Sequence, residues 1–211
     1  MERFNSAIAV FQHAVERARQ MVSLYDALVA LRPREPANDD ALRSAYFQVV
    51  SSFDFFAHEI AAIEANYRLS KNIRTKKISV PMELMVIVNE EERIAAADSY
   101  LRQQNSYRAF VDPGKLAELL SCYCDEPWKK IHISFNDGKN ESDKLGLEEL
   151  KGQLKNIWRR RNQIAHEADV NPTFAGIGLW PIDKTDTQFT IDFIVELGRF
   201  LPMVISTEFD A

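Results

Sequence analysis

The chain has 211 residues, of which 46% are hydrophobic and 27% are charged, a composition typical of globular proteins. It contains only 7 Gly and 8 Pro, and so few turn residues favour long helices over a many-stranded sheet. The formal net charge of -5 at pH 7 argues against a protein that is held on nucleic acid by its overall charge, and leaves only a local basic patch for that role.

The N-terminal residues and the cysteines predict the compartment. The first segment carries charges throughout and lacks the apolar core of a signal peptide, and the longest apolar runs, such as residues 84–88, are far shorter than the roughly 18 residues that span a bilayer. Cys122 and Cys124 are one residue apart, too close for an ordinary disulfide, and with His132 they match no common zinc pattern. We therefore expect a cytoplasmic protein with reduced thiols, no membrane contact, and no metal or other cofactor.

The first third of the chain predicts two helices. Apolar residues recur every three or four positions over residues 2–31, and the proline-containing segment 32–36 ends this helix as a linker. Asn38, Asp39 and Asp40 offer caps for a second helix that runs to about residue 67. The apolar positions of the second helix form one packing seam: Leu42, Tyr46, Val49, Phe53, Phe56, Ile60, Ile63 and Tyr67.

The rest of the chain also predicts helices. Residues 68–79 are basic and polar and are expected to form a loop. Four helix starts follow, near Ser79 and Pro81, at Asn89 (to about Arg102), at Asp112-Pro113 (to about Cys124) and at Glu126-Pro127 (ending before the turn signal at 136–140). A long helix over 146–167 precedes a loop with Gly176, Gly178 and Pro181, and a last helix begins near Asp186 or Thr187 and is kinked or ended by Pro202.

These elements predict an all-α fold. We expect one domain over residues 1–211, a bundle of about seven helices. It consists of an N-terminal helix and linker over residues 1–36 and a core over residues 37–211 that contains the long helix 146–167.

The long helix carries a charge where its pattern asks for an aliphatic side chain. Its apolar seam contains Leu147, Leu150, Leu154, Ile157 and Ile164, and the seam position between the last two is Arg161. Burying an unpaired charge costs several kcal/mol, so the guanidinium must be paired or must face an open site. Local conflict of this kind often marks a functional site. The alternative is a core arginine tied to a carboxylate for structural reasons.

The residues after Arg161 suit phosphodiester chemistry. Asn162 and His166 are four apart and share a helical face, and the long arginine side chain reaches partly across to them. An imidazole moves protons near neutral pH, and a guanidinium binds phosphate in a bidentate way and stabilises developing negative charge. This chemistry requires no metal. The alternative for His166 is a histidine that the helix dipole favours at a C-terminus.

The sequence Arg161-Asn162-Gln163-Ile164-Ala165-His166 resembles the Arg-x4-6-His motif of HEPN-domain ribonucleases, in which a polar residue, commonly Asn, follows the arginine. The continuation Glu167-Ala168-Asp169 is similar to bacterial HEPN sequences, and the segment 51–59 resembles the acidic helix that these domains pack beside the motif helix. The resemblance covers roughly residues 40–205 and points to the RiboL-PSP-HEPN-like subgroup, while the first helix lies outside it.

The resemblance implies a metal-independent endoribonuclease that acts on RNA as a homodimer, with both motif helices lining one cleft. In that scheme His166 is the general base or acid, Arg161 holds the scissile phosphate, and Asn162 orients the histidine or the RNA. Such domains are similar to toxins and anti-phage effectors, so an antitoxin partner is a further expectation.

The second helix offers supporting residues. Asp54 stands among small apolar residues and therefore needs a charged partner. Arg161 is the natural candidate, with Asp54 or Glu59 setting its geometry, and His58 is placed to contact Asp54. The alternative is that Asp54 and His58 form an ordinary surface pair. Asp169 is expected to lie in a loop.

RNA binding requires positive potential, and the segment 151–161 carries five positive charges and no acid. We predict that Lys151, Lys155, Arg159 and Arg160 contact RNA, and the alternative is a solvated helix face. Two other functions remain open: a non-catalytic HEPN-like module that binds or senses RNA, and a helical dimerisation scaffold in which Arg161 forms a structural ion pair.

Overall fold

The computed structural model describes residues 1–173 and 178–207. Over those residues the chain forms eight α-helices and three short 3-10 helices, with no strand beyond a single bridge between Val170 and Leu179, which confirms the predicted all-α class. The α-helices are α1 (Asn5–Leu31), α2 (Asp39–Lys71), α3 (Met82–Met85), α4 (Glu90–Asn105), α5 (Pro113–Leu120), α6 (Pro127–Asn136), α7 (Leu147–His166) and α8 (Lys184–Ile205). None of the described helices combines the length and the apolar character needed to cross a lipid bilayer.

The helix α2 continues past the end that the sequence predicts. The predicted loop over residues 68–79 begins only at Asn72, whose left-handed φ of 54° ends the helix. Arg68 explains the extension, because its guanidinium is buried in the core and donates to the Ile205 carbonyl oxygen at 3.1 Å. A charged side chain satisfied in this way stabilises one further turn of helix.

The predicted caps at Asn89 and Asp112 are present. The Asn89 side chain accepts from the backbone N–H of residue 92, and the Asp112 side chain accepts from that of residue 115. The helix ends differ slightly from prediction, because α4 extends to Asn105 and α5 stops at Leu120.

The last helix, α8, begins earlier than predicted. Asp183 caps it by accepting from the Asp186 backbone N–H at 2.9 Å, so the helix starts at Lys184 rather than at Asp186 or Thr187. Pro202 lies inside α8, which continues for one more turn. Gly176, placed in the predicted loop before this helix, lies outside the described residues.

The helix α2 forms the centre of the fold. It packs along α1, against α8, and against α4, α5 and α7. Six residues of its predicted seam are buried, namely Leu42, Tyr46, Val49, Phe53, Phe56 and Ile60. On α7, Leu150, Leu154 and Ile157 are at most 1% exposed and face this core. This packing fixes the C-terminal end of α7 beside the N-terminal half of α2.

Candidate functional site

A groove of about 550 Å³ lies between α2 and the C-terminal end of α7. Its lining comprises Asp40, Arg43, Ser44 and Phe47 from α2 with Arg161, Ile164, Ala165 and His166 from α7. We call it the motif groove, because the Arg-x4-His sequence supplies half of its wall. The guanidinium that interrupts the apolar seam of α7 therefore faces an open groove.

The guanidinium of Arg161 is held by polar and aromatic contacts. Its Nε and Nη2 atoms lie 3.4 and 3.3 Å from Ser51 Oγ, and its Nη1 atom lies 3.1 Å from Asn162 Oδ1. The Phe47 ring centroid is 5.3 Å from the guanidinium carbon. Across the described residues no carboxylate forms an ion pair with Arg161, which is half-buried. A guanidinium without a counter-ion can form charge-assisted hydrogen bonds with an anionic ligand.

His166 is the last residue of α7 and is exposed where it lines the motif groove. Its imidazole forms no hydrogen bond within the part of the chain that the structure describes. Asn162, which the resemblance expects to orient the histidine or the RNA, directs its side-chain oxygen to Arg161. Arg161 and His166 therefore line the same groove, the amide of Asn162 contacts the arginine, and the imidazole is open to solvent.

Asp54 lies on α2 close to Ser51 but does not bind Arg161 directly. One carboxylate oxygen accepts from the backbone N–H groups of Phe110 and Val111 at 2.5 and 3.2 Å. Burial raises the pKa of Asp54, and the charge of His58, these two hydrogen bonds and the charge of Arg161 lower it in part. Asp54 thus anchors the segment before α5 and acts on the arginine only through space.

The other predicted supporting residues face α4 and the segment between α4 and α5. His58 Nε2 lies 3.0 Å from the Arg108 carbonyl oxygen, and its ring packs 4.4 Å from the Phe110 ring. Glu59 forms an ion pair with Arg102 of α4. These positions lie further along α2 than the motif groove, whose α2 wall is built around Phe47. Among the described residues no group of three or more His, Cys, Asp or Glu side chains is arranged to hold a metal ion.

The predicted basic stripe divides into three kinds of residue. Lys155 and Arg159 are exposed and have no acidic partner among the described residues, whereas Lys151 forms an ion pair within α7. Arg160 is different, because its guanidinium binds the buried carboxylate of Asp169, with Nη2 2.9 Å from Oδ2. Arg160 therefore belongs to a structural network rather than to the exposed stripe.

The sequence did not predict the roles of three residues in and around the motif groove, Asp169, Phe47 and Ser51. The predicted loop position of Asp169 is correct for its backbone, but its side chain is only 2% exposed and binds Arg43 Nε at 2.7 Å as well as Arg160. The available signal was an acid close behind a run of three arginines. Phe47 and Ser51 contact Arg161, but both are ordinary residue types on a helix face, so nothing in the sequence indicated this role.

Comparison with known proteins identifies the family. A family model described as RiboL-PSP-HEPN matches residues 13–206, which includes most of α1, a helix that lies outside the sequence resemblance. HEPN membership associates a protein with ribonuclease or other RNA-related function. Neither the search of curated proteins nor the search of solved structures returned a match. Because the family match spans nearly the whole sequence, the chain belongs to the RiboL-PSP-HEPN family.

Proposed function

We propose that this protein is a metal-independent endoribonuclease that cleaves RNA by attack of a ribose 2′-OH on the adjacent phosphate. One observation carries the proposal. The Arg161 guanidinium has no carboxylate partner among the described residues and lines an open groove together with the exposed His166. A phosphodiester in this groove gains a charge-assisted, bidentate partner, and a titratable imidazole lies on the same wall.

The proposed reaction is a transesterification that involves only the RNA and protein side chains. His166, as general base, takes the proton of the 2′-OH while the 2′-oxygen forms a bond to phosphorus. The bond from phosphorus to the 5′-oxygen breaks, and the leaving oxygen takes a proton from an acid, for which a second copy of His166 is suited. Arg161 stabilises the negative charge that develops on the phosphoryl oxygens. The products are a 2′,3′-cyclic phosphate and a 5′-hydroxyl.

A homodimer is part of the proposal. Two motif grooves that face each other would supply one imidazole as base and the other as acid, which a single copy of His166 cannot do in the same step. The open form of the groove in the single chain is compatible with such an arrangement. Sedimentation velocity tests it, with a species of twice the 24.2 kDa chain mass as the expected result.

The exposed cations of α7 extend the proposed RNA path. Lys155 and Arg159 precede Arg161 on the same helix, so Lys155 lies roughly 9 Å from it along the axis. Replacing both by alanine is expected to weaken RNA binding and to reduce the slope of log K against log salt by about 0.7 for each RNA phosphate that the variant no longer neutralises. Lys129→Ala on α6, where the lysine pairs with Glu126, is the matched control.

The decisive experiment is RNA cleavage in excess EDTA. Wild-type protein is expected to cut a single-stranded RNA and to leave 2′,3′-cyclic phosphate ends, and Arg161→Met and His166→Ala are expected to lose the activity. The matched controls are Arg199→Met and His13→Ala, which replace exposed residues on α8 and α1. Circular dichroism checks that every variant remains folded.

Two results contradict the proposal. Cleavage that survives both motif substitutions excludes the assigned roles. Salt-dependent RNA binding with intact RNA after long incubation favours the non-catalytic RNA-binding alternative.

The biological setting is proposed to be a toxin or an anti-phage effector, held in check by an antitoxin partner. Unrestrained RNA cleavage stops growth, so induction of the wild-type chain in a bacterial host is expected to arrest growth, while His166→Ala is expected to leave growth unaffected. Equal growth of the two strains at equal protein level argues against a toxin.

A further inference from the structure

The turn that follows the motif helix has a strained backbone. Ala168 and Asp169 both adopt left-handed conformations, with φ values of 49° and 57°. A residue with a Cβ atom in this region costs about 1–2 kcal/mol, and such residues persist only where the surrounding structure fixes them. This turn begins immediately after His166, so whatever fixes it also fixes the end of the helix that carries the imidazole.

Backbone hydrogen bonds hold part of this turn in place. The N–H groups of Glu167 and Asp169 both donate to the Gln163 carbonyl oxygen, at 3.0 and 3.1 Å. The Trp180 N–H donates to the Asp169 carbonyl oxygen at 2.8 Å. These bonds close the last turn of α7 and tie it to the segment before α8, but they do not connect it to α2.

The side chain of Asp169 supplies the connection to α2. Its buried carboxylate binds Arg160 from α7 and Arg43 from α2, and the Arg43 Nε to Asp169 Oδ2 distance is 2.7 Å. The same two arginines donate to the carbonyl oxygens of Trp180 and Pro181, at 3.0 and 3.2 Å. One carboxylate therefore joins both walls of the motif groove and the segment behind it. We call these three side chains the carboxylate clamp.

We propose that Asp169 is a positioning residue for the motif groove, because its clamp holds the strained turn so that His166 stays beside Arg161. The proposal rests on the proposed nuclease function for its kinetic consequence, while its structural consequence for the imidazole stands apart from catalysis. Arg160 acts in the same way, as a member of the clamp, and not as an RNA contact.

The chain offers a matched control for this proposal. Glu64 is also a buried carboxylate between two arginines, and it accepts from Arg3 Nε and Arg68 Nε at 2.8 Å each. It lies 13 residues beyond Ser51 on α2, roughly 20 Å along the helix axis. Removing its charge disturbs the core in a comparable way but at the opposite end of the helix from the motif groove.

The experiment compares Asp169→Asn, Arg160→Lys and Glu64→Gln in the full chain. The chain has four histidines, so the His166 ring signals in an NMR spectrum are identified by their loss in His166→Ala. We expect these signals to shift and sharpen in the two clamp variants and to stay in place in Glu64→Gln.

In RNA cleavage, we expect kcat of the clamp variants to fall on the order of 10- to 100-fold with a much smaller change in KM, because misplacement of a reacting group acts mainly on the chemical step. Arg160→Lys keeps the positive charge but cannot bind the Asp169 carboxylate in a bidentate way. This variant therefore tests the positioning role if Asp169→Asn does not fold.

The possible outcomes separate the two proposals. Unchanged His166 signals in a folded clamp variant overturn the positioning role, as do equal changes in Glu64→Gln. A raised KM with unchanged kcat in Arg160→Lys overturns it in favour of an RNA contact. If wild-type protein cleaves no RNA, the proposed function fails, and the NMR comparison still decides whether the clamp positions the imidazole.

Discussion

Replacing Arg161 by methionine distinguishes a functional arginine from a structural one. Methionine keeps most of the length and apolar stem of the side chain, so the substitution removes the charge while most of the packing is retained. If Arg161 were the buried half of an ion pair, its removal would leave an uncompensated charge and cost about 3–5 kcal/mol.

The contacts of Arg161 give a much smaller expected cost. Its two contacts to Ser51 are 3.3 and 3.4 Å long, beyond the usual hydrogen-bond distance of about 2.9 Å, and its 3.1 Å contact with Asn162 Oδ1 joins two adjacent residues of α7. The cation–π contact with Phe47 is worth about 0.5–1 kcal/mol near the surface. Burying a charge without a counter-ion destabilises the folded state, so removing the charge of Arg161 offsets part of the loss of these contacts. We therefore expect the free energy of unfolding to change by no more than about 1 kcal/mol, using these magnitudes.

Urea unfolding followed by circular dichroism measures this change. Wild type, Arg161→Met and Glu64→Gln are compared, and equal slopes against urea show that the extent of unfolding is the same. Glu64→Gln is expected to lose about 3 kcal/mol or more, because it removes a buried negative charge that pairs with the buried Arg68 and the half-buried Arg3. A similar loss in Arg161→Met would show that the arginine braces the bundle, and the reasoning that assigns it to a phosphate would be refuted.

Three further predictions concern stability. Gly198→Ala is expected to lower the free energy of unfolding by about 1–3 kcal/mol, because a Cβ atom there would lie 2.7 Å from Phe11 Cε1. Gly152→Ala is expected to stabilise α7 by about 0.5–1 kcal/mol, because a Cβ atom there would have no atom within 4 Å. Thermal unfolding compares the two variants. Burial raises the pKa of Asp54 above 3.8, so the native state binds the proton more tightly than the unfolded state does. The free energy of unfolding is therefore expected to fall as the pH rises from 3.8 through the raised pKa. Asp54→Asn can still accept both backbone hydrogen bonds and is expected to flatten this pH dependence, which urea titrations at several pH values measure. Burial raises the pKa of Tyr46 to about 12, so stability is expected to fall as pH rises from 10 towards 12, and Tyr46→Phe is expected to remove that fall in stability and the late phenolate absorbance.

The sequence predicts the helices well because their signals are local. The seam of α2 and the side-chain caps at Asn89 and Asp112 follow from residue spacing and from hydrogen bonds three residues apart. The ends of α2 and α5 were less predictable. The extra turn of α2 depends on Arg68 reaching a carbonyl oxygen of residue 205, a contact across 137 positions that no local pattern contains.

The candidate site shows the same division. The unusual position of Arg161 is visible in the helix pattern, and the groove position of this residue agrees with that interpretation. The predicted partner Asp54 lies close by on α2, but backbone N–H groups from the segment before α5 occupy its carboxylate, and sequence spacing gives no information about that segment. Arg160 and Arg161 are adjacent and chemically identical in the sequence, yet only Arg160 meets a buried carboxylate, because the strained turn brings Asp169 back beneath the helix.

The contrast between the two adjacent arginines is itself an argument about function. One carboxylate, Asp169, pairs with both Arg160 and Arg43, and a second one, Glu64, pairs with the buried Arg68 and the half-buried Arg3. Within the described residues, Arg161 receives only hydroxyl, amide and aromatic contacts, although it occupies a seam position where an aliphatic residue would pack more favourably. Retaining a half-buried charge under those conditions costs stability. Among the described residues, the buried arginines Arg43 and Arg68 are each paired with a carboxylate. A negative charge that arrives with a ligand therefore best explains the unpaired guanidinium of Arg161 in the groove.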